Sequence, residues 1–284
     1  MKAASDLRDR DSFIERDARE RARVLLDRGS FRELIDPFER LTSPWLERQG
    51  VVAQSDDGVV VAKGTIAGQP AVVLAIEGAF QGGSLGEVGG AKIAGALELA
   101  AADNRAGVPT RAVILFETGG VRLQEANLGL AAIAEIHSAI VELREHQPVV
   151  GVVAGTVGCF GGMSIAAGLC SHLVVTREAR LGLNGPQVIE QEAGVVEYDS
   201  RDRPFIWSHT GGEQRWLSGM VDACVADDAV LIRDTVIALY ERPGPAPLRS
   251  DAYRQRLQAL AQYDAGVQVT PQRVRELFAP GGNR

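Results

Sequence analysis

Cysteine is scarce in this sequence, and its placement argues against two kinds of architecture. The three cysteines among 284 residues are Cys159, Cys170 and Cys224, which form neither a CxxC pair nor a metal-ligand spacing. We therefore expect no disulfide framework and no metal site. Cys159 lies in a glycine-rich turn and is a conceivable nucleophile, but a small buried side chain is the better interpretation.

Excess positive charge and long apolar runs are lacking as well. The formal net charge is -7, which gives a nucleic-acid partner no electrostatic support. No run of about 18 apolar residues marks a membrane span, and no signal-peptide pattern is visible, so we expect a cytoplasmic protein without a membrane partner. With 45% hydrophobic residues, the chain can bury the core of one large α/β domain or of two small ones.

A strand, a glycine turn and a helix follow one another between residues 149 and 168. The apolar, β-branched run from Val149 to Ala154 predicts a strand buried on both faces. Residues 155–162 are then rich in glycine, and a helical pattern of small residues begins at Gly161. The start of such a helix has free backbone N–H groups, and glycine lets another molecule approach them closely. This segment therefore predicts a place where negative charge can be held.

The same pattern occurs a second time, upstream. Residues 111–117 predict another buried strand, which ends at Gly119 and Gly120, and a long helical pattern covers residues 123–145. Each glycine pair alone is consistent with a tight strand-to-helix turn. Their duplication favours two backbone anion-binding sites in one chain.

The chain as a whole alternates strands with helices, which is typical of an α/β fold. Besides those already described, elements are predicted at 58–64, 71–76, 85–105 and 172–176, from Pro186 onward, and at 228–240. Neither a dinucleotide-binding G-x-G-x-x-G after a strand nor a G-x-x-x-x-G-K-[ST] phosphate loop is present. The glycine turns are therefore not those of a nucleotide-binding fold.

Further helices are predicted at both ends of this core. Apolar spacing favours two helices within residues 12–36, separated by a glycine–serine break. Two polar helices are expected at about 250–264 and 271–278. We expect a linker at 243–247 and an irregular, polar stretch at 194–212.

Several glycine-containing blocks, taken together, resemble carboxyltransferase subunits of the crotonase superfamily. They span residues 82–86, 92–94, 118–125, 160–164 and 182–191, in the family's order. Within that superfamily the chain is most similar to the beta subunits of biotin-independent malonate decarboxylases. Acetyl-CoA carboxylase beta subunits carry a cysteine zinc ribbon that is not seen here, and propionyl-CoA-type enzymes fuse both crotonase halves in a longer chain. Residues 23–31 do resemble the fused type, so that alternative stays open.

This resemblance implies a fold, a substrate and partners. The fold would be one crotonase-like ββα superhelix over residues 1–284, with an N-terminal helical extension at about 1–45 and C-terminal helices at about 246–284. The complex would decarboxylate malonyl-S-acyl carrier protein to acetyl-S-acyl carrier protein and CO2, at a site shared with a second crotonase-type (gamma) subunit. The acyl carrier protein subunit would present the malonyl group on a phosphoribosyl dephospho-CoA prosthetic group. An acyl carrier protein transferase subunit would be a further partner, and this chain itself would bind no cofactor.

The chemistry of decarboxylation suggests which residues act. Loss of CO2 leaves an enolate on the thioester oxygen, and hydrogen-bond donors already aimed at that oxygen lower the barrier. We predict that the backbone N–H groups of the catalytic glycines are the donors of two such sites, namely Gly119 with Gly120 and Gly161 with Gly162. One pair would hold the thioester oxygen and the other would orient the departing carboxylate, and the sequence leaves open which pair does which. We expect Gly161→Val or Gly162→Val to block substrate approach and to leave the fold largely intact.

We also predict that residues within these blocks bind substrate. They are Gly82, Gly83, Lys92, Phe160, Gly185 and Pro186. From its position on the helix alone, Lys92 is either solvated or directed to an anionic ligand. His209, in a polar stretch, is the best histidine candidate for protonating the enolate carbon.

Two other functions are consistent with the sequence. The chain could be the acyl-CoA-binding half of a biotin-dependent acyl-CoA carboxyltransferase, in which case activity would depend on biotin. It could also be a non-catalytic scaffold subunit, although two intact glycine turns argue against that role.

Overall fold

The computed structural model describes residues 10–242, 248–264, 266–267 and 270–278 of the chain. Their strands form one seven-stranded sheet, in which the strands lie side by side in chain order. The strands are β1 (Arg32–Leu34), β2 (Val59–Ile66), β3 (Gln69–Ile76), β4 (Arg111–Phe116), β5 (Val149–Val153), β6 (His172–Thr176) and β7 (Ala223–Val225). No helix in these described ranges is long and apolar enough to span a membrane.

The sheet is mixed, and its two parts have different connections. β1, β2 and β3 are antiparallel neighbours, and a turn at Ala67 and Gly68 joins β2 to β3. From β3 to β7 every neighbouring pair is parallel. Parallel neighbours need crossover connections, which helices supply in most cases here. The carboxyl ends of β4 and β5 therefore lie at the same edge of the sheet, and both glycine turns begin there.

Helices cover both faces of the sheet. They are α1 (Ala18–Leu25), α2 (Glu87–Arg105), α3 (Asn127–Leu143), α4 (Gly162–Leu169), α5 (Pro186–Ala193), α6 (Arg203–Thr210), α7 (Gly212–Leu217), α8 (Ala229–Tyr240), α9 (Tyr253–Ala261) and α10 (Pro271–Phe278). On one face α2, α3 and α4 bury Ile93, Ile136 and Met163 against the strands. On the other face α1 and α8 bury Leu25 and Val236. Alternate residues of the central strands contribute to one core or the other, which explains their uninterrupted apolar sequence.

The central elements agree closely with the prediction. The strands expected at 111–117, 149–154 and 172–176 are confirmed as β4, β5 and β6, and the helix expected at 85–105 is α2. Burial on both faces makes each of these strands a short continuous apolar run, which sequence alone reveals.

The N-terminal prediction is wrong in part. α1 is present, but β1 occupies the place of the second helix expected within residues 12–36, and its Leu34 pairs with Val61 of β2. Consequently the extension at about 1–45 is not wholly helical in its described part. A strand this short shows no periodicity of its own, and its pairing with a distant segment decides its conformation.

The stretch 194–212 is not irregular throughout, because it contains α6. The Asp202 side chain accepts a hydrogen bond from the Phe205 N–H at 3.0 Å, and Pro204 lies in the first turn. These are ordinary helix-start signals that a weak apolar pattern obscured. The two C-terminal helices are confirmed as α9 and α10. The linker expected at 243–247 lies outside the described residues.

One carboxylate joins the N-terminal segment to the far end of the sheet. Asp227, just after β7, accepts hydrogen bonds from the Ser12 hydroxyl at 2.6 Å and from the Phe13 and Ile14 N–H groups, each at 2.9 Å. Asp228 caps the following helix, α8. The N-terminal segment is thereby fixed beside α8.

Candidate active site

The two predicted glycine turns contact one another in the structure. A Cβ at Gly161 would lie 3.2 Å from Gly120 Cα, and one at Gly120 would lie 3.1 Å from the Phe160 carbonyl oxygen. φ is +106° at Gly120 and +61° at Gly161, where side chains are rarely tolerated. Both positions therefore require glycine, for conformation and for the close approach.

Short backbone bridges join the turns into a second, smaller layer beyond the main sheet. The Thr118 N–H donates to the Gly158 carbonyl at 2.8 Å, and the Phe160 N–H donates to the Thr118 carbonyl at 3.0 Å. On the far side, the Cys159 N–H donates to the Arg180 carbonyl at 2.9 Å. These bonds fix the direction in which the remaining N–H groups of the turns point.

Three of the four predicted N–H donors already have acceptors within the chain. The bonds are Gly119 N–H to Gly82 O (2.9 Å), Gly120 N–H to Thr118 Oγ1 (3.0 Å) and Gly161 N–H to Leu183 O (2.7 Å). The Gly162 N–H, at the first residue of α4, has no acceptor in the described part of the chain. Among the four glycines, the geometry therefore favours Gly162 as a donor to a ligand.

Val121 provides a second such N–H, which the sequence prediction missed. Its nitrogen lies 3.9 Å from the position of a Cβ at Gly161, and it has no acceptor among the described residues. In the parallel bridge to Leu85, the Leu85 N–H donates to the Gly120 carbonyl and the Arg122 N–H donates to the Leu85 carbonyl, each at 2.8 Å. The Val121 N–H, which lies between these two groups in the chain, therefore points away from Leu85. This alternation after a Gly–Gly pair is the signal that could have identified Val121.

Comparison with known proteins agrees with this architecture. The family described as the carboxyl transferase domain matches residues 15–254. The chain belongs to that family. Malonyl-S-ACP:biotin-protein carboxyltransferase MADC of Malonomonas rubra is 39% identical to it over 249 residues, which is 84% of this chain and 78% of that protein.

Two solved structures are more similar still. A chain of a Pseudomonas malonate decarboxylase hetero-tetramer in complex with malonate is 67% identical, with a TM-score of 0.94, covering 97% of this chain and 100% of that one. A chain of the Pseudomonas malonate decarboxylase MdcD–MdcE hetero-dimer is 61% identical, with a TM-score of 0.75. The match covers 89% of this chain and 97% of that one. The predicted family and the α/β, crotonase-like fold class are thus confirmed.

Lys92 has an internal role in this carboxyl transferase domain. Its side chain is 5% exposed, and Nζ lies 3.1 Å, 3.2 Å and 2.6 Å from the carbonyl oxygens of Ile35, Asp56 and Val59. An ammonium group has three protons, so these acceptors account for all of them. The predicted contact of Lys92 with an anionic ligand is therefore replaced by a structural one. Burial also lowers the pKa of this side chain.

The other predicted binding residues divide into exposed and buried positions. Gly82 is exposed, with open space where a side chain would be, whereas a Cβ at Gly83 would lie 1.9 Å from a backbone carbonyl oxygen. Gly185 faces open space as the N-cap of α5, and Pro186 begins that helix. Phe160 is buried. A ligand can reach Gly82 and Gly185 directly, and the roles of all these residues stay predictions.

The first glycine turn rests on a buried ionic cluster of Arg122, Asp57 and Glu125. Arg122 is 1% exposed, and its NH1 lies 2.8 Å from Asp57 Oδ1 and 3.0 Å from Glu125 Oε1. The two carboxylates also accept the Gly89 and Glu87 N–H groups at the start of α2, at 3.0 and 2.7 Å. The two carboxylates therefore already accept the free N–H groups at the start of α2. That helix N-terminus is not available to an anionic ligand. Burial raises the pKa of Asp57, against the opposing effect of Arg122.

Two candidate catalytic side chains lie in surroundings that the sequence did not indicate. His209 belongs to α6, and its Nδ1 lies 2.9 Å from the Phe205 carbonyl oxygen and 3.0 Å from Ser208 Oγ. Because a carbonyl only accepts, Nδ1 carries the proton in that bond. Cys159 is fully buried, and burial raises the pKa of its thiol, which disfavours a thiolate nucleophile.

The expectation for valine substitutions in the second turn is wrong. A Cβ at Gly162 would lie 2.9 Å from Ile133 Cγ2, in the core between α3 and α4. At Gly161 a side chain would require positive φ. Gly161→Val and Gly162→Val would therefore disturb the fold as well as the approach of substrate.

Proposed function

We propose that this chain is the carboxyltransferase-type subunit of a malonate decarboxylase complex, which decarboxylates malonyl-S-acyl carrier protein to acetyl-S-acyl carrier protein and CO2. The observation that carries this proposal is the pair of N–H groups on Val121 and Gly162, which have no acceptor among the described residues and lie beside the contact of the two turns. Relatives described as a malonate decarboxylase and a malonyl-S-ACP carboxyltransferase support the choice of substrate.

The chemistry needs rigid donors, and the surrounding hydrogen bonds hold these two in place. When CO2 leaves the malonyl thioester, negative charge moves to the thioester oxygen as an enolate. A donor already aimed at that oxygen lowers the barrier by about 3 to 4 kcal/mol in a site that excludes water. Backbone N–H groups suit this role because they stay protonated at neutral pH. The N–H groups of Gly119, Gly120 and Gly161 act indirectly, since their internal bonds fix the turns.

A second crotonase-type subunit completes the site. Apolar side chains are exposed on the segments around the turns, with Leu123, Leu130, Ile165 and Leu183 81%, 54%, 49% and 61% accessible. Exposed apolar surface of this kind marks protein interfaces. Both Pseudomonas relatives come from hetero-oligomers. We assign this face to the gamma subunit.

The acyl carrier protein brings the substrate to this shared site. Its phosphoribosyl dephospho-CoA arm carries the malonyl group as a thioester to the Val121 and Gly162 N–H groups, which lie beside the contact of Gly120 with Gly161. An acyl carrier protein transferase subunit is a further partner of the complex. This chain contributes backbone donors and binds no cofactor of its own.

The test is CO2 release from a malonyl thioester by this chain co-purified with its second subunit, without biotin. Two variants of Gly162 isolate the N–H group. Gly162→Ala and Gly162→Pro add a similar Cβ beside Ile133, but only proline removes the N–H. Proline is tolerated at the first residue of a helix, which is the position of Gly162.

We expect wild type to release CO2, and Gly162→Pro to turn over roughly a hundredfold more slowly than Gly162→Ala. Thermal unfolding of both variants is the control for folding. Equal turnover by the two folded variants would remove Gly162 from the mechanism.

Carboxyl transfer to a biotin protein is the second candidate function. It is favoured by the relative described as a malonyl-S-ACP:biotin-protein carboxyltransferase. The same assay distinguishes the two, because a transferase would consume the malonyl thioester only after a biotin protein is added.

A further inference from the structure

Beside the small layer lies a cluster of half-buried positive charge, formed by Arg180 and Arg215 together with Tyr198. We refer to these three residues as the cationic cluster. The Arg180 guanidinium lies 5.6 Å from the Phe160 ring and 4.7 Å from the Trp207 ring. A terminal nitrogen of Arg215 lies 3.8 Å from the position of a Cβ at Gly182.

Neither arginine of the cationic cluster is neutralised by an acidic residue in the part of the chain that the structure describes. Arg180 donates to the Thr156 and Val157 carbonyls at 2.7 and 3.1 Å, and Arg215 Nε donates to the Leu181 carbonyl at 2.7 Å. Neither forms an ion pair with an acidic residue in the described ranges, and Arg180 Nε is buried with no hydrogen-bond partner there. A charge withdrawn from water without a counter-charge is costly, so this arrangement favours binding of an anion.

Tyr198 adds a neutral donor to the same cluster. Its hydroxyl oxygen is buried, has no hydrogen-bond partner in the described chain, and lies close enough to both guanidinium groups for them to oppose the rise in its pKa that burial causes. Its ring packs edge-on against Phe205, with centroids 5.1 Å apart. Three groups thus offer unused donors, and two of them are cationic.

The cluster lies one backbone segment away from the second glycine turn. The Gly182 N–H donates to the Cys159 carbonyl at 3.2 Å, and the Gly161 N–H donates to the Leu183 carbonyl at 2.7 Å. The segment 181–183 therefore connects the cationic cluster to the backbone donors of the candidate active site.

We propose that Arg180, Tyr198 and Arg215 bind an oxyanion of the substrate, either the carboxylate of the malonyl group or a phosphate of its carrier arm. The choice of these anions rests on the proposed function, whereas the site rests on the contacts above. Carboxylate and phosphate share the chemistry that fits here: two oxygens that accept charge-assisted hydrogen bonds from guanidinium groups. Binding would hold the substrate with its thioester toward the turns.

Direct binding tests the site without reference to turnover. Free malonate and inorganic phosphate are titrated calorimetrically into the complex of this chain with its second subunit. We expect binding of at least one of them to weaken roughly ten- to a hundredfold in Arg215→Met. The matched control is Arg201→Met, because Arg201 is an exposed arginine three residues from Tyr198 that already pairs with Asp199 at 3.1 Å. Unchanged binding in Arg215→Met, or equal weakening in Arg201→Met, would overturn the proposal.

Tyr198→Phe separates ligand binding from structural support. Because the hydroxyl has no partner within the described chain, its removal should leave the thermal unfolding midpoint unchanged or higher. Anion binding should nevertheless weaken several-fold. A lower midpoint with unchanged anion binding would show that the hydroxyl serves the fold, and would contradict the proposal.

A substrate that lacks phosphate distinguishes the malonyl carboxylate from a phosphate of the carrier arm as the bound anion. With malonyl-N-acetylcysteamine, Arg215→Met should raise KM about tenfold with little change in kcat if the carboxylate is bound. An unchanged KM, together with weakened phosphate binding, would identify the carrier arm as the source. If anion binding is lost in the variants and no complex releases CO2, the site stands and the proposed function fails.

Discussion

Arg122 beside the first glycine turn and Arg215 beside the second are both withdrawn from water, Arg122 fully and Arg215 in part. Arg122 contacts two carboxylates of its own chain, at 2.8 and 3.0 Å. Arg215 donates to the Leu181 carbonyl and has no carboxylate partner in the described residues. If Arg215 binds an anion as we propose, the partner of a charge, more than its burial, separates groups that support the fold from groups that bind a ligand.

The largest effect should come from removing the partnered arginine. Arg122→Met leaves Asp57 and Glu125 buried without a counter-charge, so we expect a loss of about 3 to 5 kcal/mol in unfolding free energy, measured by urea denaturation. Asp57→Asn is the control, because it keeps an acceptor and reduces the excess negative charge. Asp57→Asn should lower the unfolding free energy clearly less than Arg122→Met does. Equal losses would mean that the charge balance of the cluster is unimportant.

Lys92 provides the next test, because it is a buried cation whose partners among the described residues are all carbonyl groups. Lys92→Met should cost about 2 kcal/mol at pH 7, since three carbonyls lose their donor, and KM should not change. A raised KM in a variant of unchanged stability would return Lys92 to the substrate site.

The same residue gives stability a pH dependence. Because burial lowers the pKa of Lys92 below 10.5, the unfolded chain holds this proton more tightly than the folded one. The pH-dependent part of its contribution to stability is therefore fully present above pH 10.5 and is lost as pH falls through the lower, folded-state pKa, whereas the part due to its three hydrogen bonds remains at pH 7. The difference in unfolding free energy between wild type and Lys92→Met should accordingly increase with pH across that window. A difference that decreases with pH would contradict this assignment.

The smallest effect is expected at Gly82, on the exposed loop beside the first turn. Gly82→Ala should cost about 1 kcal/mol, since φ is +64° and nothing lies within 4 Å of the new Cβ. Gly68→Ala is a matched control, because Gly68 has φ +76° and equally open space in the turn between β2 and β3. Similar stability losses with a raised KM only in Gly82→Ala would place substrate beside Gly82. Equal KM values for Gly82→Ala and Gly68→Ala would show that Gly82 is not part of the binding site.

Much of the fold and the location of the candidate site could be predicted from the sequence, because both depend on short local signals. Doubly buried strands such as β5 are continuous apolar runs, and glycine pairs mark where the chain turns sharply. β1 was missed because its conformation depends on pairing with β2. For a related reason, the sequence prediction assigned Lys92 to substrate binding and did not identify Val121 or the cationic cluster. Whether a donor is free depends on acceptors that lie far away in the chain.

The bonds from Asp227 to the N-terminal segment determine the order in which the protein can be completed during synthesis. Asp227 and Phe13 are separated by 214 residues. At ordinary translation rates the ribosome needs roughly 10 to 40 s to cover that interval. Once β2 and β3 have been made, α1 can contact them, but it still lacks α8, against which it also packs. α1 is thus made early but is among the last of the described elements to reach its final position, and until α8 has been made one face of the sheet stays partly uncovered.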